Sequence, residues 1–221
     1  GYGTPFSVNN IKRKSVEYKN PLIVISDHKI DMHERLHFAF QASIQEKRPL
    51  VIISELDDQV KLFISQNINQ KNLTCNFIQP EGFGIKKFEL LQDIAMMTGG
   101  KVISEMNGDA HVNIDTSYLG TCKSITSTSS ESIMVFDKSE NKEREETVAW
   151  IQSEIKETRN REERWHLEDR LSKLSGGVAT IKVSANSEVE LKEKKDRVDD
   201  SIHATRAAVQ EGIVAGGGVA L

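Results

Sequence analysis

The sequence predicts an α/β fold in which a layered β-sheet core is flanked by helices and followed by one long helix. Short apolar runs rich in β-branched residues recur in the first half of the chain, with amphipathic segments between them. The runs are LIVIS (22–26), PLVIIS (49–54) and KVIS (101–104). Strands that alternate with helical segments are typical of α/β architecture.

Local chemistry predicts the later elements. The stretch KSITSTSSESIMVF (123–136) alternates polar and apolar residues around a Ser- and Thr-rich centre, which indicates a hairpin. The charged residues 139–174 keep apolar side chains at helical spacing, which predicts two helices joined near 158–161. Paired glycines in MMTGGKVIS (96–104) and LSGGVATIKV (174–183) each predict a helix end followed directly by a strand.

The last helix is predicted to be the longest. Ser187 and Glu190 form a capping box, and helical spacing continues to Gly212, a length of about 24 residues. On a helix of this geometry Asp200 lies opposite the apolar stripe that contains Leu191. We therefore expect the Asp200 carboxylate to point away from the contacts of its own helix.

Composition excludes several classes of partner. The 221 residues carry 29 Lys and Arg against 33 Asp and Glu, so the formal net charge is -4 and neither nucleic acid nor an anionic membrane is expected. The sequence shows no apolar run near the roughly 20 residues that span a bilayer and no signal-peptide pattern, which predicts a cytoplasmic protein. Cys75 and Cys122 have no ligand spacing and are expected to be ordinary thiols.

One motif is typical of an enzyme. His33, Glu34 and His37 match H-E-x-x-H, in which two histidines on one helix hold zinc and the glutamate activates water. A third ligand has no clear candidate, because His111 is isolated and the downstream glycine-histidine context is missing. Histidines at the rim of a groove explain the pattern without a metal, and we expect none. A zinc metallopeptidase remains the alternative function.

Three segments closely resemble the group I (GroEL-type) chaperonins: LQDIAMMTGGKVISE, LSGGVATIKV and the C-terminal SEVELKEKKDRVDDSIHATRAAVQEGIVAGGGVAL. Within the last, AAVQEGIVAGGG (207–218) fits the family signature of two small residues, any residue, an acid or amide, Glu, four residues and a glycine run. The likeness extends over nearly the whole chain and is faint only around 105–145.

The resemblance implies a division into three parts. Residues 1–178 are similar to the apical polypeptide-binding domain, 179–208 to the second half of the intermediate hinge domain, and 209–221 to the truncated start of the second equatorial segment. The implied function is that of a molecular chaperone: a subunit of an ATP-dependent heptameric ring that binds unfolded polypeptide and a co-chaperonin. The implied fold is an apical-like sheet core followed by a long intermediate-domain helix.

The resemblance also assigns the nucleotide chemistry. Asp200 matches the hinge aspartate that orients the attacking water, and Gly217 occupies the position that contacts nucleotide. An intact subunit would use ATP with Mg²⁺ and K⁺. Most phosphate- and metal-binding groups belong to equatorial segments outside this sequence, so the fragment alone is expected to bind no cofactor and to be inactive.

In the family, clients bind in an apolar groove between an N-terminal aromatic segment and two helices. Tyr2, Phe6 and Phe40 match its aromatic or large apolar positions, whereas His37 stands where leucine is usual and Ser7 where an aromatic is usual.

On the second helix of that groove, a one-residue gap near 56–59 assigns Lys61, Ser65 and Gln66 to it. A gap shifted by one residue would bring Leu62 into the groove and would still leave two polar groups there. The opposite face of the same helix keeps a predicted core stripe formed by Val60, Phe63, Ile64 and Ile68. We expect weaker or narrower client binding, and a further alternative is a stand-alone apical-like module for one dedicated partner.

Overall fold

The computed structural model describes residues 1–104, 108–109, 114–136, 141–175 and 187–214. The chain divides into a first unit, Gly1–Gly176, and a second unit, Gly177–Leu221. The strand predicted after the second glycine pair, together with His111 and Gly217, lies outside the described residues.

A five-stranded sheet forms the centre of the first unit. Its strands are β2 (Leu22–Ser26), β3 (Leu50–Ile53), β4 (Cys75–Ile78), β5 (Val102–Ile103) and β6 (Gly120–Thr121). The first four are parallel in the order β4-β3-β2-β5, and β6 pairs antiparallel with β2. The three predicted apolar runs correspond to β2, β3 and β5, which confirms the α/β prediction.

Helices cover both faces of this sheet. Alternate residues of a strand face opposite sides, so Val24 and Ile52 pack with α1 (His37–Glu46) and α2 (Asp58–Asn69). Ile25 and Val51 pack on the other side with α3 (Gly84–Thr98). Both β2 and β3 are buried along their whole length, as expected for parallel strands covered on two faces.

A smaller antiparallel sheet lies on the α3 side. Its order is β1-β7-β8, formed by β1 (Val16–Lys19), β7 (Ser124–Ser127) and β8 (Ser132–Val135). The pairing of β7 with β8 confirms the predicted hairpin. Val16, Tyr18 and Ile125 of this sheet join the core cluster that contains α3.

The end of α3 shows why its glycine pair is needed. Gly99 caps the helix at φ 70°, a left-handed conformation that favours glycine. At Gly100, an added Cβ would lie 2.8 Å from the backbone nitrogen of Gly120, so the β5 and β6 segments could not approach as they do.

Two charged helices extend the first unit beyond α3. They are α4 (Lys142–Glu157) and α5 (Arg161–Ser175), and they confirm the predicted pair with its junction near 158–161. A small core joins them to α3, formed around Ile151, Leu167 and Leu174.

The second unit contains α6 (Glu188–Glu211). Ser187 caps it by accepting a hydrogen bond from the Glu190 amide at 3.2 Å, and Gly212 follows its last residue at φ 87°. Both ends agree with the prediction. Among the helices of the described ranges, none has the length and apolar character to cross a membrane.

Candidate functional site

Aromatic rings fill the space between α1 and α2. Phe63 of α2 is half-buried, and its ring stacks on His33 with 4.0 Å between centroids and 24° between planes. The ring of Phe40, on α1, lies 6.1 Å from the ring of Phe63. The two helices therefore meet through Phe63, which sequence reasoning assigned to the core stripe without detecting its contact with His33.

Phe40 does not edge an open groove as the sequence predicts. It is only 9% exposed and belongs to the core cluster with Leu36 and Ala39. These three residues share the inner arc of α1 and of the 3-10 turn His33–Leu36 before it, so the helix buries them together against the sheet. Phe40 lies beneath the outer surface.

Tyr2 also differs from the predicted arrangement. Its half-buried side chain packs against the core cluster on the α3 side of the sheet, and its amide donates to the carbonyl of Thr128 at 2.8 Å. The structure therefore does not bring Tyr2 and Phe40 together. Ser7 is buried as well and donates to the carbonyl of Cys75 at 2.9 Å, so it adds no exposed group.

An exposed surface remains beside these buried rings. Phe6 is 57% exposed in the 3-10 turn Pro5–Ser7, and this turn packs against α2. We define the α2 surface as Phe6, Lys61, Leu62, Ser65 and Gln66. Phe6, Leu62 and Gln66 are exposed, whereas Lys61 and Ser65 are half-buried.

The rotation of α2 is fixed by its buried residues. Val60 is 1% exposed and Ile64 is fully buried, which confirms the predicted inner stripe. Leu62 therefore points outward and is 59% exposed. The choice between the two gap positions does not change the composition of this surface, because Leu62 and the three polar residues lie on the same half of the helix.

The polar residues of the α2 surface occupy two flanks. At about 100° per residue, Lys61 and Ser65 lie on the side of α2 away from Phe63, whereas Gln66 lies about 60° from it. The Lys61 ammonium contacts the Asp58 carboxylate at 3.0 Å, one turn earlier. Amide, hydroxyl and ammonium groups therefore flank the exposed apolar side chain of Leu62 on the helix.

The beginning of α2 carries a charged cap. The Asp57 carboxylate accepts from the amide of Gln59 at 3.2 Å and contacts the ammonium of Lys29 at 2.8 Å. The hydrogen bond from Lys29, and next that from the Gln59 backbone, lower the pKa of Asp57 below its ordinary value. This cap holds the first turn of the helix at neutral pH.

The H-E-x-x-H motif does not have the geometry of a zinc site. His33 and Glu34 belong to a 3-10 turn and His37 begins α1, so the two imidazoles do not lie on one continuous α-helix. The ring of His33 is stacked on Phe63, its Nδ1 lies 3.4 Å from the Glu34 carboxylate, and His37 is exposed. Within the described ranges, no group of three His, Cys, Asp or Glu residues could hold a metal ion.

The predicted nucleotide residues lie in the second unit. Asp200 is exposed on α6, and Leu191 of the predicted apolar stripe is exposed as well, so the expected orientation of Asp200 stays a prediction. Gly217 lies outside the described residues, so its contact with nucleotide stays a prediction.

Comparison with known protein families relates this chain to a described family. The sequence model of the TCP-1/cpn60 chaperonin family matches residues 25–221 of this chain. The match includes α1, α2 and α6, whereas the turn that carries Phe6 precedes it.

Proposed function

Because the chain belongs to the TCP-1/cpn60 chaperonin family, we propose that its first unit captures non-native polypeptide on the α2 surface. The chaperonin-type role follows from the family. The location of the contact and its selectivity are our proposal, and they rest on the exposure of Phe6 and Leu62 beside α2.

Apolar contact explains capture without sequence recognition. Burial of apolar surface yields roughly 25 cal/mol per Å², and this gain does not depend on the order of residues in the client. Phe6 and Leu62 are more than half exposed, so a client could contact either side chain without rearrangement of the core. Since Phe40 is already buried, we assign it to the support of α1 rather than to client contact.

Polar groups limit the strength of this contact. A client that covers Lys61, Ser65 or Gln66 must remove water from an ammonium, a hydroxyl or an amide, which costs free energy unless a hydrogen bond replaces it. We expect the α2 surface to favour clients that offer acceptors next to apolar side chains. This selectivity supports a second candidate, a module for one dedicated partner.

The experiment compares two exposed phenylalanines. The client is a fluorescently labelled protein that is kept unfolded by reduction and carboxymethylation. Phe6→Ser should weaken its binding by about fivefold to thirtyfold, because one aromatic contact of about 1–2 kcal/mol is lost. The control is Phe83→Ser, since Phe83 is 89% exposed just before α3. Anisotropy titration measures both affinities.

Equal affinities of Phe6→Ser and the unmodified chain would contradict the proposed location. A panel of unrelated unfolded clients separates the two candidates: graded binding across the panel supports a general chaperone, and binding of one client supports a dedicated module.

We further propose that the second unit contributes to ATP hydrolysis in an assembled ring with a co-chaperonin. Asp200 would orient the attacking water, and Gly217 would contact the nucleotide. Phosphoryl transfer requires a preorganised metal and phosphate cradle, so the 221-residue chain alone should show no turnover above a buffer blank in a phosphate-release assay. Turnover that Asp200→Asn abolishes would contradict this expectation.

A further inference from the structure

The order of the parallel strands reverses between β2 and β5. From β2 to β4 the chain passes through α1 and α2 on one face of the sheet, and it then returns through α3 on the other face to place β5 beside β2. In open α/β sheets, ligands bind in the crevice outside the carboxyl ends of the strands at such a reversal.

A cavity of about 470 Å³ lies at this position. Ser26, the last residue of β2, and Ile103, the last residue of β5, form part of its wall. Its volume is within the range of about 300–1,000 Å³ that is usual for small-molecule sites. The other apolar lining residues are Ile30, Leu36, Phe38 and Ile114.

Hydrogen-bond donors line the same cavity. The imidazole of His28 is held by its Nδ1, which lies 3.1 Å from the Ser26 hydroxyl, so Nε2 is on the opposite edge of the ring. Arg35 contacts Asp31 through Nε at 3.2 Å. Its guanidinium has five N–H donors in total and suits a carboxylate. His37 also lines the cavity.

The nearby carboxylates are engaged by neighbours. Asp27 accepts from the hydroxyl of Ser104 at 2.5 Å, and its other oxygen lies 3.6 Å from Nδ1 of His28. Asp31 pairs with Arg35, and Glu34 lies 3.4 Å from Nδ1 of His33. Only Glu34 among these three acids lines the cavity. Among the lining side chains, Arg35, His28 and His37 can donate hydrogen bonds and Glu34 is the one acid, so the cavity suits a ligand that has an acceptor group and an apolar body.

We propose that this cavity binds a small organic anion, a carboxylate attached to an apolar group. Arg35 and the Nε2 edge of His28 receive the carboxylate, while Ile103 and Ile114 contact the apolar part. The inference goes beyond client capture, because it concerns the sheet edge rather than the α2 surface.

Benzoate and its neutral analogue benzamide test the proposal. Isoleucine methyl groups are labelled with ¹³C in the full chain, and each compound is titrated while NMR spectra are recorded. We expect saturable shifts at Ile103 and Ile114 with benzoate, and at least fivefold weaker binding of benzamide. Ile133, which is exposed on β8, serves as the unaffected reference.

Two charge variants should change the affinity for benzoate in opposite directions. Arg35→Gln should weaken benzoate binding at least fivefold, and Glu34→Gln should strengthen it. Arg13→Gln is the matched control, because Arg13 also forms an exposed i,i+4 pair, with Glu17 at 3.7 Å. Absence of saturable shifts, equal binding of benzoate and benzamide, or equal effects of Arg35→Gln and Arg13→Gln would overturn the proposal. Client affinity measured on the same variants reports the α2 surface separately.

Discussion

At the scale of single residues, burial controls the chemistry of the two thiols. Cys75 is fully buried and Cys122 is 5% exposed, and neither forms a disulfide. Desolvation of the thiolate raises the pKa of both, that of Cys122 to about 11. The thiolate is the reactive form, so both cysteines are protonated and protected at neutral pH.

We predict that the native protein reacts slowly with a colorimetric disulfide reagent. At pH 8 both thiols should react at least about tenfold more slowly than in the unfolded chain at the same pH, and the rate at Cys122 should rise with pH up to its raised pKa. Fast reaction of one thiol in the native state, without such a rise, would contradict the buried placement.

The sequence predicted the burial of some side chains correctly and that of others wrongly. Helical spacing correctly assigned Val60 and Ile64 to the inner face of α2, because periodicity reports burial on a helix. It did not show that Phe40 lies inside or that Tyr2 packs on the far side of the sheet. Those positions depend on how neighbouring elements pack in three dimensions, and local sequence patterns do not show this.

At the scale of elements, an ionic cluster joins α3 to α5. Arg170 donates through Nε and Nη2 to Asp93 at 2.9 and 3.0 Å, and its Nη1 contacts Glu89 at 3.0 Å. His166 lies 2.7 Å from the same Glu89 carboxylate. Arg170 and Asp93 are both buried, so loss of Arg170 leaves the Asp93 carboxylate without a compensating charge.

We predict that Arg170→Met lowers the free energy of unfolding by about 3 kcal/mol, because it leaves the Asp93 carboxylate buried and unpaired. The double variant Arg170→Met/Asp93→Leu should recover most of this loss, since an apolar pair of similar volume needs no charge compensation. Urea denaturation measures both. A double variant less stable than Arg170→Met would contradict the claim that the unpaired Asp93 carboxylate causes the loss of stability.

Whole elements were predicted where local chemistry is strong. The buried run of β2, the glycine-capped end of α3 and the capping box of α6 were all correct. The strand β4 was missed because Asn76 interrupts its apolar run; the buried Asn76 amide contacts the Ser127 hydroxyl at 3.4 Å. Only tertiary structure supplies that partner.

At the scale of the whole molecule, the family membership and the fold agree on a chaperonin-type protein. The α/β core of the first unit could be predicted from alternating strands and helices, and the family from the glycine-rich segment near Leu221. The character of the α2 surface needed the structure, because it depends on which residues α2 leaves exposed.

The most direct test of the account measures client affinity after the α2 surface is made apolar. The variant Lys61→Val/Ser65→Val/Gln66→Val removes the three polar groups, and Lys192→Val/Lys195→Val/Ser201→Val changes three exposed positions of α6 as a control. We predict that the first variant binds unfolded clients at least about tenfold more tightly and accepts more of them, because each buried methyl or methylene group adds about 0.8 kcal/mol. The control variant should bind clients with the affinity of the unmodified chain. Unchanged or weaker binding by the first variant, or an equal gain in the control, would contradict the claim that clients bind on the α2 surface.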